Sequence, residues 1–186
     1  VDVGSVIEAI DAETIYDVPL LMLKEKLDAT VITKLRLKDR REPRLDAWKT
    51  FLGKLKNPTH EVKIGLVGKY NELQDAYKSI HESFVHAGAI NECKVLVQPV
   101  HSEHLEGSLE DVSARLQGFD GILVAPGFGE RGIEGKIQAI RFVRENKIPF
   151  FGICLGMQCA VVEFARHVAN LEEASSTEVK PDTEHP

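Results

Sequence analysis

Cysteine is scarce in this chain: Cys93, Cys154 and Cys159 are the only three in 186 residues. Their odd number and irregular spacing exclude a disulfide framework, and the expectation is reduced thiols in a cytoplasmic setting. Long apolar runs are missing as well. No stretch approaches the roughly 18 residues of a membrane span, so no membrane partner is expected. Residues 1–10 hold two acids and no base, which is not the charge pattern of a secretory leader. Aromatic residues are thin where positive charge is dense. Residues 24–56 carry eleven Lys and Arg against five Asp and Glu, interrupted only by Trp48 and Phe51. Without a recognised motif beside it, that segment reads as a solvated linker face, and no nucleic-acid partner is expected. The net charge of −6 is therefore uneven, and the rest of the chain is about twelve units negative.

What is present begins irregularly and then becomes periodic. With 43% hydrophobic and 28% charged residues, the composition is that of a globular protein. Residues 1–60 show no strand–helix alternation. Residues 15–19 read as a short extended piece broken by Pro19, and 20–27 and 45–55 as short helices. Asn57-Pro58 marks a stop. From 61 onward apolar strands alternate with amphipathic helices. Val62 to Val67 and Val95 to Val100 read as strands, as do Ile122 to Val124 and Phe150 to Ile153. Between them, Ala76, Ile80, Phe84 and Ala87 repeat at helical spacing and are closed by Gly88. Leu109 to Leu116 forms a second helix, and Ile133, Ile137 and Ile140 mark a third. Met157, Val161, Phe164 and Val168 form the expected apolar face of the last helix. This alternation predicts an α/β fold, a doubly wound, mostly parallel sheet with flavodoxin-like layering. A short helical linker precedes it. The chain turns acidic after Leu171 with no closing strand, so the domain is expected to be incomplete at its C-terminus. The expected domains are residues 1–60 and residues 61–186.

One stretch carries chemistry. Phe150-Phe151-Gly152-Ile153-Cys154-Leu155-Gly156-Met157-Gln158 sets a cysteine between two glycines where a strand turns into a helix. Any Cβ on either side of such a turn would collide with its neighbours, so the glycines let Cys154 occupy the tip of a strained elbow. The helix N-terminus aimed at the sulfur favours thiolate over thiol. The bland alternative is a buried cysteine beside two packing glycines. Cys159, five residues further on, points about 140° away around the helix, and Cys93 reads as part of a polar turn. In a parallel sheet the ligand crevice lies at the carboxyl ends of the strands. Gly68, the Gly127 loop and Cys154 all fall there.

The histidines offer no partner for that cysteine. His167 lies thirteen residues along the helix, roughly 20 Å away at 1.5 Å per residue. His101-Ser102-Glu103 reads as a solvated loop. With His104 it has metal-ligand character but lacks a fourth ligand, so no metal is expected.

Gly-Ile-Cys-Leu-Gly-Met-Gln, with Pro126-Gly127-Phe128-Gly129 about 25 residues upstream, resembles the class I glutamine amidotransferase family. Other runs resemble the CTP synthase members of that class. These are Gly65-Leu66-Val67-Gly68-Lys69-Tyr70, Asp75-Ala76-Tyr77-Lys78-Ser79, Arg131-Gly132-Ile133-Glu134-Gly135 and Ala165-Arg166-His167-Val168-Ala169-Asn170, continuing to Ser176-Thr177-Glu178. Residues 15–19 and the basic helices resemble the end of a synthetase domain and its linker. The resemblance implies a glutaminase portion of an enzyme that makes CTP from UTP, ATP and glutamine-derived ammonia. Cys154 would attack the glutamine amide carbon and form a γ-glutamyl thioester. Gly127, Leu155, Gly156, Met157, Gln158 and Glu178 would contact L-glutamine, with Glu178 suited to its α-ammonium. The N–H groups of Gly127 and Leu155 would stabilise the oxyanion. Arg131, Gly132 and Glu134 match a lid through which GTP acts as an allosteric activator. Asp11 and Ala12 match the edge of the synthetase ATP pocket. The resemblance implies no cofactor in this chain, ATP, Mg2+ and GTP for the parent enzyme, a synthetase domain as partner, and a homo-oligomer, a tetramer.

Two positions depart from the family pattern. Many members read Pro-Gly-Gly-Phe-Gly where this chain reads Ala125-Pro126-Gly127-Phe128-Gly129, and Pro126 has no N–H to donate. The family also supplies a His-x-Glu pair more than a hundred residues after the cysteine, whereas residue 186 lies 32 residues after it. The 186-residue chain alone is therefore expected to be inactive. Two other readings of the same residues are a glutamine- or nucleotide-binding regulatory module and another cysteine hydrolase such as a γ-glutamyl hydrolase.

Overall fold

The computed structural model describes residues 2–38, 41–70 and 75–186, and the chain forms two compact units, Val1–Asn57 and Pro58–Pro186. The first unit holds α1 (Val18–Lys24), α2 (Leu27–Lys34) and α3 (Asp46–Lys56). Residues 15–19 are not extended as expected. Ile15–Asp17 is a 3-10 turn capped by the Thr14 hydroxyl, and it runs into α1 with Pro19 in the first turn. A proline is tolerated there because its missing N–H would have no partner within the helix. The single helix expected over 20–27 ends instead at Lys24. Lys26 takes a positive φ of 58°, and α2 starts anew at Leu27. Tyr16, Trp48 and Phe51 pack as an aromatic cluster with ring centroids 5.3–5.9 Å apart. The Trp48 indole N–H donates to the Tyr16 carbonyl at 2.9 Å. Lys56 ties α3 to Asp17 at 2.9 Å and Glu13 at 3.2 Å.

The second unit is a parallel sheet of β1 (His60–Gly68), β2 (Cys93–His101), β3 (Gly121–Val124) and β4 (Phe150–Gly152), in the order β2-β1-β3-β4. Leu66 pairs with Leu123, and Val124 with Gly152. Side chains alternate across a strand, so the sheet buries two faces. Val67, Ile122 and Val124 pack with apolar residues of α5 (Leu109–Leu116), α6 (Ile133–Glu145) and α7 (Leu155–His167). Leu66, Leu123 and Ala125 pack on the other side with Tyr77 and with Ile80 and Phe84 of α4 (Lys78–Ile90). Helices on both faces of a parallel sheet make the α/β, doubly wound architecture that the periodicity predicts.

Three local expectations are corrected. Gly88 does not close α4, which continues to Ile90. A Cβ on Gly88 would lie 2.7 Å from the Cys93 carbonyl oxygen, so the glycine allows the helix to approach β2. Cys93 is not in a polar turn but opens β2, half-buried. The apolar face expected for α7 is exposed, with Val161 65% accessible and Met157, Phe164 and Val168 also open. Its buried side carries Leu155, Gly156, Cys159 and Glu163 instead. Glu163 is admitted because Arg144 of α6 forms a two-pronged ion pair with it at 2.8–3.1 Å.

Candidate active site

Strand β4 ends at Gly152, and α7 begins at Leu155, so the chain reverses in two residues. Cys154 takes up the turn with φ 52° and ψ −110°. A non-glycine residue in that region costs about 1–3 kcal/mol, held only when its surroundings enforce it. The surroundings do so. A Cβ on Gly152 would lie 2.6 Å from the Gly156 carbonyl oxygen, and one on Gly156 only 2.1 Å from that of Val124. The Ile153 N–H donates to the Val124 carbonyl at 3.0 Å, and the Gly156 N–H to that of Ile153 at 2.9 Å. These contacts fix Cys154 at the N-cap of α7 with its side chain exposed. Leu155 is the first helical residue, so its N–H has no acceptor within the helix.

The loop after β3 lies beside the elbow. A Cβ on Gly127 would stand 3.7 Å from the Leu155 side chain, so the two expected oxyanion residues are neighbours. Two lysines that sequence reading passed over hold this loop. Lys136 of α6 donates to the Ala125 carbonyl at 2.9 Å, and Lys69, just past β1, donates to that of Phe128. Burial pushes the Lys136 ammonium below the ordinary lysine range; the Cys159 thiol opposes that shift, the Lys69 charge adds to it, and the Cys154 thiol opposes it. Lys136 carried no sequence signal, since a lysine in an amphipathic helix reads as surface.

Arg131, Gly132 and Glu134 surround the start of α6. Arg131 pairs with Glu103 at 3.2 Å. Gly132 has φ 77°, and a Cβ there would meet the Ser102 hydroxyl at 2.3 Å. A Cβ on Gly135 would meet the Ser102 carbonyl oxygen at 1.8 Å. The segment Ser102–Leu105 is thus not a solvated loop as expected but a 3-10 turn packed on α6, with Ser102 and Leu105 fully buried. Its packing depends on glycines some thirty residues away, which local reading does not connect with it. Glu134 pairs with Arg166 of α7 at 2.9 Å, and Arg166 also donates to the Ala174 carbonyl at 2.7 Å. That second bond draws the acidic tail onto the domain. Ala174 and Ser175 are buried, and Ser176 and Val179 line a crevice with Leu155, Gln158 and Cys159. Glu178 itself sits in an exposed turn beside that crevice. Gly156 is buried, Met157 exposed and Gln158 intermediate. Asp11 and Ala12 belong to the first unit, in the coil before Ile15–Asp17.

Among the described residues the Cys154 thiol has no hydrogen-bond partner, and no cluster of three or more His, Cys, Asp or Glu could hold a metal. His167 bonds the Glu163 carbonyl at 3.1 Å on the far turn of α7. The three thiols therefore differ by access. Cys159 is buried, and burial pushes its thiol up to about 11. At pH 8, iodoacetamide is expected to modify Cys154 at least about tenfold faster than Cys159, with half-buried Cys93 between them. Peptide mapping over a time course measures the order; Cys159 or Cys93 reacting first would contradict the elbow.

Three comparisons agree on the kind of protein this chain is similar to. The family description Glutamine amidotransferase class-I matches residues 72–185. A CTP synthase of Cytophaga hutchinsonii is 64% identical over 186 residues, all of this chain and 34% of that protein. A CTP synthase of Christiangramia forsetii is 59% identical over 182 residues, 98% of this chain and 33% of that protein. This chain thus spans about a third of the length of these relatives. Among solved structures, the Trypanosoma brucei CTPS glutaminase domain with bound acivicin aligns with a TM-score of 0.62 at 41% identity. The alignment covers 67% of this chain and 48% of that one.

Proposed function

We infer the function from one premise: this chain belongs to the glutamine amidotransferase class-I family. The reading is that it supplies the glutaminase portion of a CTP synthase, with Cys154 as nucleophile. The observation that carries it is the elbow, which sets an exposed thiol at a helix N-terminus beside a glycine loop. In the reaction the Cys154 sulfur attacks the glutamine amide carbon, and the amide oxygen becomes an oxyanion facing the N–H groups of Gly127 and Leu155. Collapse of that intermediate expels ammonia and leaves a γ-glutamyl thioester for water to cleave. Gly156, Met157, Gln158 and Glu178 are assigned to glutamine contact, and Arg131, Gly132 and Glu134 to a lid answering GTP. Asp11 and Ala12 are assigned to the edge of an ATP pocket whose remainder, with its Mg2+ and the UTP site, belongs to the synthetase domain of a longer, tetrameric enzyme.

Expelling ammonia needs a proton donor, worth typically about 10²–10⁴ in rate. None of the described residues bonds the Cys154 thiol. The 186-residue chain by itself is therefore proposed to release negligible ammonia from glutamine and to form no CTP. The test is isotope transfer in a protein joining this sequence to the further segments found in its relatives. Glutamine labelled with nitrogen-15 in its amide, supplied with UTP, ATP and GTP, should yield CTP labelled at its exocyclic amine. Bound glutamine with no ammonia released would favour a regulatory module instead. Ammonia released without CTP would favour a simple hydrolase.

A further inference from the structure

Lys136 is fully enclosed, although an ammonium carries a full charge and three N–H donors. Among the described residues its hydrogen bonding is one contact, to the Ala125 carbonyl. Lys69 carries like charge toward it, the Cys159 thiol is held neutral by burial, and among the described residues no carboxylate acts on it. Glu163 shows the contrast within the same unit, since Arg144 neutralises it. A buried charge without a counter-charge works against folding. On stability alone this position would favour an apolar side chain of similar length.

The location of the charge supplies its use. The Lys136 Nζ lies 3.5 Å from where a Cβ would stand on Gly127, and Leu155 is 3.7 Å from that same point. The ammonium is therefore a near neighbour of the Gly127 backbone, and Leu155 borders the same point, the two residues whose N–H groups are assigned to the oxyanion. It grips the loop at Ala125, while Lys69 grips it at Phe128, and Gly127 lies between the two anchors. Pro126 has no N–H; the donor assigned to this loop is Gly127, and its placement depends on those anchors. On the glutaminase reading, negative charge develops beside Gly127 and Leu155, close to this ammonium. Preorganised positive charge at such a point stabilises the transition state without reorganisation.

We propose that Lys136 is a positioning residue for glutamine hydrolysis: its ammonium pins the Ala125 carbonyl, sets the Gly127 N–H toward the developing oxyanion and supplies the positive charge behind it. This rests on the glutaminase reading above. The test uses the longer protein with Lys136→Met, which keeps the length and bulk of the side chain and removes its charge and donors. The kcat for glutamine hydrolysis is expected to fall about tenfold or more, since loss of an oxyanion donor outright costs about 10²–10³. The KM for glutamine should stay within about twofold, because Lys136 touches no glutamine contact directly and its charge acts where the oxyanion develops. Ammonia-dependent CTP formation should be unchanged, and the melting temperature unchanged or higher. A kcat within about twofold of the unsubstituted protein overturns the proposal. So does a lowered melting temperature with both activities falling together, which marks a structural lysine. If the unsubstituted protein does not hydrolyse glutamine, the functional reading falls and this proposal falls with it.

Discussion

In a protein joining this sequence to the further segments of its relatives, the proposed reading expects Cys154→Ala to remove glutamine-dependent CTP formation by more than about a thousandfold, since that reading places the thioester on this sulfur alone. CTP formation from added ammonia should stay within about twofold, because aminating UTP with free ammonia uses no thiol. The two assays, run on one preparation with UTP and ATP held constant, separate a catalytic cysteine from a structural one. Cys154 is exposed, so its truncation leaves no buried cavity. Its positive φ is strained in the variant as in the parent. Equal loss in both assays by a folded variant would mean that the residue holds the fold together and does no chemistry.

Gly156→Ala should disable the same site without touching a reactive atom. The new methyl group would stand 2.1 Å from the Val124 carbonyl oxygen and 2.9 Å from its carbon. Both are backbone atoms, so no side chain can rotate away. Overpacking of this kind typically costs about 1–3 kcal/mol, and a backbone obstacle puts this case at the upper end. A melting temperature lower by about 6–12 °C follows from that upper end, and in the longer protein glutamine turnover should be lost with it. Gly53→Ala is the control. It lies within α3 with nothing within 4 Å of the added carbon, and alanine in a helix interior is better than glycine by about 0.5–1 kcal/mol. Thermal melts of the two variants should therefore shift in opposite directions, and an unchanged melt for Gly156→Ala would refute the elbow geometry.

The strands and the elbow were legible because their signals are local. Four apolar runs ending near glycines or small residues register a parallel sheet, and the Gly-x-Cys-x-Gly spacing is a steric requirement that five residues express. What escaped reading depends on partners distant in sequence. Helix α7 carries two stripes, and the more apolar one, with Val161 and Phe164, is the exposed one. The buried stripe contains Glu163, whose partner Arg144 lies nineteen residues earlier on another helix, so hydrophobic periodicity pointed to the wrong side. Gly88 carries the local signal of a helix stop, since terminal glycines are common, whereas its role is to let α4 approach Cys93 and Val95. Lys136 could not be found at all, since burial of a lysine is a property of the packed structure. Asp39 and Arg40, part of the basic segment 24–56, lie outside the described residues.

Helix α6 behaves, mechanically, as a single beam from which the separate parts of the site are hung. Within little more than one turn of its start, Gly132 and Gly135 bear on Ser102, Glu134 is roped to Arg166, and Lys136 props the Ala125 carbonyl. Arg166 continues the line to the tail at Ala174, and Arg144 clamps the far end of the beam to Glu163. A slide or roll of this one rigid rod would be transmitted at the same moment to the loop beside the thiol, to the turn after β2 and to the tail. These parts share no common stretch of sequence, yet each is fastened to the same thirteen residues of helix.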